Sequence, residues 1–108
     1  MEQSQMYSLE YLPSAKKDMV EIAAYISRKL KNPIAADKIA LKLIEAGEEL
    51  RRFPYSAPAY VPLKPLKQEY RRQIVENYMI FYWVSETEKK IIIARVVYSR
   101  RDYRLMLE

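Results

Sequence analysis

Two apolar runs, YMIFYWV at residues 78–84 and IIIARVVY at residues 91–98, constrain this chain more than any other feature. Both are filled with β-branched and aromatic residues, which pack well on a pleated surface and lose side-chain freedom in a helix. Both are read as strands. Residues 85–90 between them are few, polar and charged, so an antiparallel hairpin is the economical connection. Upstream, YRRQIV reaches the first run through Glu76 and Asn77; asparagine tolerates the left-handed turn conformation, which predicts a second hairpin. Side chains alternate along a strand, so Tyr78, Ile80, Tyr82 and Val84 share one face and Met79, Phe81 and Trp83 the other. A strand apolar on both faces belongs in the middle of a sheet. Helices should cover one side, and something else, a partner being one candidate, the other.

The preceding half of the chain reads as helical. Tyr7, Leu9 and Tyr11 alternate with Ser8 and Glu10, a half-buried strand that Pro13 closes, and Ser14 is placed to cap a helix. Over residues 14–31, Ala15, Met19, Ile22, Ala23, Ile26 and Leu30 recur at helical spacing, with Lys16, Lys17, Asp18, Glu21 and Lys29 on the opposite side. Asn32 and Pro33 then supply a cap and a first-turn proline for a second helix. Its buried stripe is Ala36, Ile39, Ala40, Leu43, Ala46, Leu50 and Phe53, and Pro54 stops it. So short a link makes the two an antiparallel hairpin. Residues 54–68 hold four prolines and are read as a stiffened crossing back to the sheet. The expected fold class is therefore α+β, in the order β-α-α-β-β-β: a mostly antiparallel sheet with a helical hairpin on one face, a single domain over residues 1–108.

Composition narrows the chemistry. The 108 residues contain neither cysteine nor histidine, which excludes a disulfide framework, a Ser-His-Asp triad and the usual zinc ligand sets. No metal ion or cofactor is expected. The first residues are polar and acidic where a secretory signal would be basic and then apolar, so a cytoplasmic protein is expected, and no apolar run approaches the roughly 18 to 20 residues of a membrane span. The net charge of +5 suits nucleic acid or an acidic partner. From residue 69 onward the cations are mostly arginine: Arg71, Arg72, Arg95, Arg100, Arg101 and Arg104. Arginine serves bidentate phosphate or carboxylate contact, so the sheet end reads as a binding surface. Plainer readings stand beside this one. Arg71 and Arg72 are adjacent and cannot face the same side; Arg95, on a face with Ile91, Ile93 and Val97, needs either a buried partner or an open face; Arg100 and Arg101 could pair with Asp102; and Tyr70, Tyr78, Tyr82 and Tyr98 suit a core or an interface.

Four stretches, YSLEYLPSAKKDMVEIAAYI, ELRRFP, EYRRQIVENYMIFYWV and ARVVYSRRDY, in this order and spacing, resemble the RelE/ParE toxins of bacterial type II toxin-antitoxin modules over nearly the whole chain. The resemblance implies a toxin that causes growth arrest and plasmid stabilisation, neutralised by a cognate antitoxin through an acidic amphipathic segment. It also implies one of two activities: RelE-like members cut mRNA on the ribosome, and ParE-like members inhibit DNA gyrase. For the nuclease, position carries over Arg71 and Arg101, with Tyr98 or Tyr103 as proton-transfer group. Three departures weaken it: Gln73 stands where that site has a lysine, Met79 where it has an arginine, and Tyr103 lies closer to Arg101 than the RelE-like pattern places its terminal tyrosine. The ending VVYSRRDY resembles that of ParE-like chains. The expected function is thus a ParE-like gyrase inhibitor, binding its target through Arg72, Arg95, Arg100 and Arg104. The alternatives are a RelE-like ribosome-dependent endoribonuclease and a non-toxic nucleic-acid-binding module.

Overall fold

The computed structural model describes residues 6–107. Its elements are β1 (Ser8–Tyr11), α1 (Pro13–Ala24) continued by a π-helical turn (Tyr25–Lys29), α2 (Pro33–Leu50), β2 (Arg71–Val75), β3 (Tyr78–Ser85) and β4 (Lys90–Tyr98). The four strands form one sheet in the order β1-β4-β3-β2. The two hairpins are antiparallel, and β1 joins β4 in parallel, a pairing that requires a long crossover. This is the expected α+β arrangement. Among the described residues, no helix is long and apolar enough to cross a membrane.

Several local features depart from the pattern that periodicity predicts. Ser14 does not cap α1: Leu12 occupies the N-cap position, and Ser14 Oγ instead donates to the Ala94 carbonyl at 2.7 Å, tying the helix start to β4. The π turn is marked by Leu30 N, which reaches back five residues to the Tyr25 carbonyl at 3.2 Å. A wider turn rotates the end of the helix, so Leu30, expected in the buried stripe, is 57 % exposed. Lys31 then breaks the helix at φ 53°, and Asn32 Oδ1 accepts from Ala35 N at 3.1 Å, the cap that was expected. Phe53 lies beyond the end of α2 at Leu50 and is exposed, outside the stripe assigned to it. In the β2–β3 turn the left-handed residue is Glu76, φ 54°, rather than Asn77.

The alternation along β3 holds. Ile80 and Tyr82 enter a core with Ala15, Leu43 and Ile93 under the helices, while Met79 and Phe81 enter a second core on the other face. In β4 the alternation is interrupted: Phe81 pairs with Arg95 and Tyr82 with Ile93, so Ala94 is an extra residue, a β-bulge. Past it the faces exchange. Ile91, Ile93 and Val96 lie on the helix side and Ala94 and Val97 on the other, so Arg95 does not share one face with Ile91, Ile93 and Val97.

The second face is covered by the chain itself. Tyr60 and Leu66 of the proline-rich loop and Tyr103, Met106 and Leu107 of the C-terminal tail pack on Phe81, Met79 and Val97. The loop is docked by strand-like pairing, with Tyr60 N on the Tyr70 carbonyl at 2.8 Å and Arg72 N on the Pro58 carbonyl at 3.1 Å. A covering partner is therefore not required there, and the loop is more than a crossing.

Gly47 marks the closest approach of α2 to the sheet. A Cβ there would lie 2.6 Å from the Tyr11 hydroxyl and 3.3 Å from Ile93 Cδ1, and that hydroxyl is buried with no hydrogen-bond partner among the described residues. Gly47→Ala should therefore cost about 1–3 kcal/mol through overpacking, against a helix-propensity gain of about 1 kcal/mol. Tyr11→Phe removes an unsatisfied group and should be neutral or stabilising. In the double variant the alanine should become stabilising; urea unfolding in which the alanine costs as much beside Tyr11→Phe as it does alone would contradict this packing.

Candidate functional site

Asp18 and Arg95 organise the site. Asp18 is 6 % exposed on α1, and its carboxylate accepts from Arg95 Nε at 2.7 Å, Arg95 Nη2 at 2.8 Å and Val96 N at 2.9 Å. The fork geometry is bidentate, and the third bond satisfies a backbone donor just past the bulge. The Asp18 carboxylate raises the Arg95 pKa. Asp18 is thus not on the solvated side of α1, and Arg95 has the buried partner that was one of its two readings. The signal lay in the sequence: Ala15, Asp18 and Ile22 share helical spacing, which puts a carboxylate on the apolar stripe facing a strand that contains a lone arginine.

Beside this clamp an open groove of about 690 Å³ runs between the end of the helical hairpin and the sheet. Ile22, Tyr25, Ile26 and Ile39 line one wall; Tyr78, Tyr98, Asn77 and Arg101 line the other. The π turn supplies Tyr25 and Ile26 to it. Burial, reinforced by neighbouring Tyr98, raises the Tyr78 phenol, which disfavours proton abstraction by it.

The other singled-out residues lie elsewhere. Arg72 and Tyr103 meet on the far face of the sheet, Arg72 Nη1 donating to Tyr103 Oη at 3.1 Å, with the guanidinium 5.7 Å from the Tyr60 ring. Arg104 is held by Asp102 at 3.0 and 3.1 Å, so Asp102 pairs with Arg104 instead of Arg100 or Arg101. Arg100 is exposed. Arg71 donates to the Ala57 carbonyl and lies 4.8 Å from the Tyr55 ring. It pairs with Tyr82, whereas Tyr98 pairs with Tyr78, which puts Arg71 roughly 13 Å along β3 from the Tyr98 end. Of the four residues of the nuclease reading, the fold brings together Tyr98 and Arg101 alone. Tyr103 is across the sheet and Arg71 is at its other end. Among the described residues, no group of three or more metal-ligating side chains is gathered.

Near Arg71, sequence reading missed a second cluster. Tyr7 Oη donates to both Glu86 oxygens at 2.9 and 3.0 Å, Tyr55 Oη donates to Oε2, and Lys89 Nζ meets Oε1 at 2.8 Å. These bonds, those of Lys89 and Tyr55 foremost, hold the Glu86 carboxyl at about 2, while the bond to Glu86 pushes Tyr55 up to about 12. No sequence motif marks the cluster, because its members come from three separate segments.

A family model described as ParE toxin of type II toxin-antitoxin system, parDE, matches residues 9–103. No curated protein sequence is a significant match. Among solved structures the chain is similar to the chromosomal ParDE TA system from P. aeruginosa, with TM-score 0.70 and 22 % identity over 88 % of this chain and 98 % of that one. It is also similar to the toxin-antitoxin complex RelBE2 from Mycobacterium tuberculosis, with TM-score 0.65 and 15 % identity over 91 % and 97 %. A metal-bound toxin from Helicobacter pylori gives TM-score 0.51 and 16 % identity over 86 % and 94 %. At such identities these structures share the fold.

Asp18→Ala should cost about 3–5 kcal/mol, since it leaves Arg95 without its charge partner and Val96 N without an acceptor, and Asp18→Ala with Arg95→Met should recover much of it. Equal urea midpoints for wild type and Asp18→Ala would contradict the clamp. Because Glu86 falls from its ordinary 4.5 to about 2 in the folded chain, its contribution is complete above pH 4.5 and fades as pH falls through 2. The unfolding midpoints of wild type and Glu86→Gln should differ above pH 4.5 and converge near pH 2; a difference constant across that window would show that Glu86 is not tied.

Proposed function

Given that the chain belongs to the family of ParE toxins of type II toxin-antitoxin systems, we propose that it arrests growth by binding and inhibiting DNA gyrase, without cutting RNA. One observation favours this over the nuclease: Arg71, Arg101, Tyr98 and Tyr103 are divided among two ends and two faces of the sheet. General acid–base cleavage needs its groups within hydrogen-bond reach of one phosphate. Binding has no such requirement, and it suits an arginine-rich surface with aromatic side chains.

The cognate antitoxin is the second partner, and the groove is its proposed seat. Tyr25, Leu30 and Tyr98 stand exposed around an apolar floor, and Arg101 offers a guanidinium to a carboxylate. An amphipathic segment with acidic side chains would bury the first and pair with the second. The solved structures of similar fold include a ParDE system and a RelBE2 toxin-antitoxin complex, which supports an antitoxin as partner.

The test is supercoiling by purified gyrase with increasing amounts of the chain. Supercoiling should fall, and the addition of antitoxin should restore it. Undiminished supercoiling, with cleavage of mRNA on programmed ribosomes, would establish the RelE-like alternative. Inactivity in both assays, with salt-sensitive binding to free nucleic acid, would leave the binding module.

A further inference from the structure

We propose that the hollow between the proline-rich loop and the C-terminal tail is a docking surface for an acidic protein segment bearing an apolar side chain, and that it is how the toxin grips its target. The inference rests on the reading of the chain as a toxin that acts by binding. The hollow, about 270 Å³, lies on the sheet face away from the helices and is lined by Tyr60, Leu63, Lys64, Leu66, Arg104 and Leu105. Leu63 is 87 % exposed, nearby Val61 84 % and Leu105 76 %. Large aliphatic side chains delivered this far into water, by two segments distant in sequence and meeting at one hollow, mark an interaction site.

Their exposure is imposed by anchors beneath them. Tyr60 packs edge-on against Phe81 at 5.3 Å and Tyr103 at 6.0 Å, and Arg72 holds the Tyr103 hydroxyl at 3.1 Å. Leu66 and Met106 face the second core. With the inward positions of both segments taken, Leu63 and Leu105 are turned outward.

Charge decides the partner. Lys64 and Arg104 line the hollow, Lys67 lines the adjoining wall, and Arg72 lies over Tyr60. Against them stand Glu69 and Asp102; Asp102 and Arg104 pair with each other, which leaves Lys64, Lys67 and Arg72 against Glu69 and the rim in cationic surplus. A cationic rim around aliphatic side chains matches a protein segment that offers carboxylates and an apolar anchor. A phosphate backbone would satisfy the cations and leave Leu63 and Leu105 wet. The surface is distinct from the groove, yet the tail that carries Leu105 leaves the sheet beside Arg101 in the groove wall. An antitoxin gripping Arg101 therefore also fixes the root of the tail.

The experiment compares the full chain with Leu63→Ser/Leu105→Ser and with Lys64→Glu, by growth arrest on induction, gyrase supercoiling, and unfolding midpoint as the fold control. All these positions are exposed, so the midpoints should be unchanged. Each variant should need about tenfold more protein for arrest and for inhibition of supercoiling. Arrest at wild-type dose by the serine pair overturns the surface, whatever the target. Loss with the serine pair and none with Lys64→Glu overturns the acidic partner. A wild type that arrests growth but leaves supercoiling intact, with variants that lose arrest, removes gyrase and keeps the surface. Absence of arrest by the wild type overturns both. Binding of a labelled single-stranded RNA that both variants lose would replace the protein partner with nucleic acid.

Discussion

The Asp18 carboxylate, received by Arg95 and by the Val96 amide, is the contact on which the rest of the architecture depends. It joins the first helix to the bulged point of β4, a central strand, and so fixes where the alternation of that strand reverses. Its net contribution to stability need not be large, because desolvating two charges offsets much of their attraction. Its consequence is geometric. A one-residue slip would leave the carboxylate without its backbone donor and turn Val96 and Val97 to the wrong faces. Both walls of the groove are set by it, since α1 forms one and the end of β4 the other.

From that contact the two faces acquire different tasks. The helix face ends in an open groove whose exposed apolar rim suits a folded-on segment. The opposite face is closed by the proline-rich loop and the tail, whose inner side chains complete a second core while their outer ones project into solvent. The residues that a nuclease would need together are separated by the sheet itself, with Tyr103 on one side, Arg101 and Tyr98 on the other, and Arg71 at the far end of β2 and β3. On the proposed reading, arginine and tyrosine serve as contact groups, at places where desolvation on binding would strengthen them.

Much of this was legible in the sequence because period-2 and helical patterns report directly on burial. YMIFYWV gave the correct face for every residue, and Asn32 and Pro33 marked the start of α2. The remainder depends on a partner that periodicity does not see. A bulge is defined by the count of residues on two strands, and IIIARVVY read alone has no sign of it. The π turn is a feature of backbone bonding, so Leu30 kept its place in the pattern and lost it in the fold. The cover over the second face comes from Tyr60, Tyr103 and Leu107, which follow no repeat. Asp18 was within reach, as a carboxylate on an apolar stripe opposite a strand arginine. Of the candidate site, the residue types and the sheet end were legible; their division between two faces depends on the strand register and the path of the tail, which no local pattern gives.

Binding without chemistry is tested most directly by mapping mRNA 5′ ends in a bacterium after induction of this chain, alongside the topology of a reporter plasmid. Growth arrest with relaxed plasmid and no new ends inside translated codons is the result expected of a toxin that inhibits by contact. New ends at codon-spaced positions, with plasmid supercoiling unchanged, would contradict it and mean that groups apart in this fold are brought together on the ribosome.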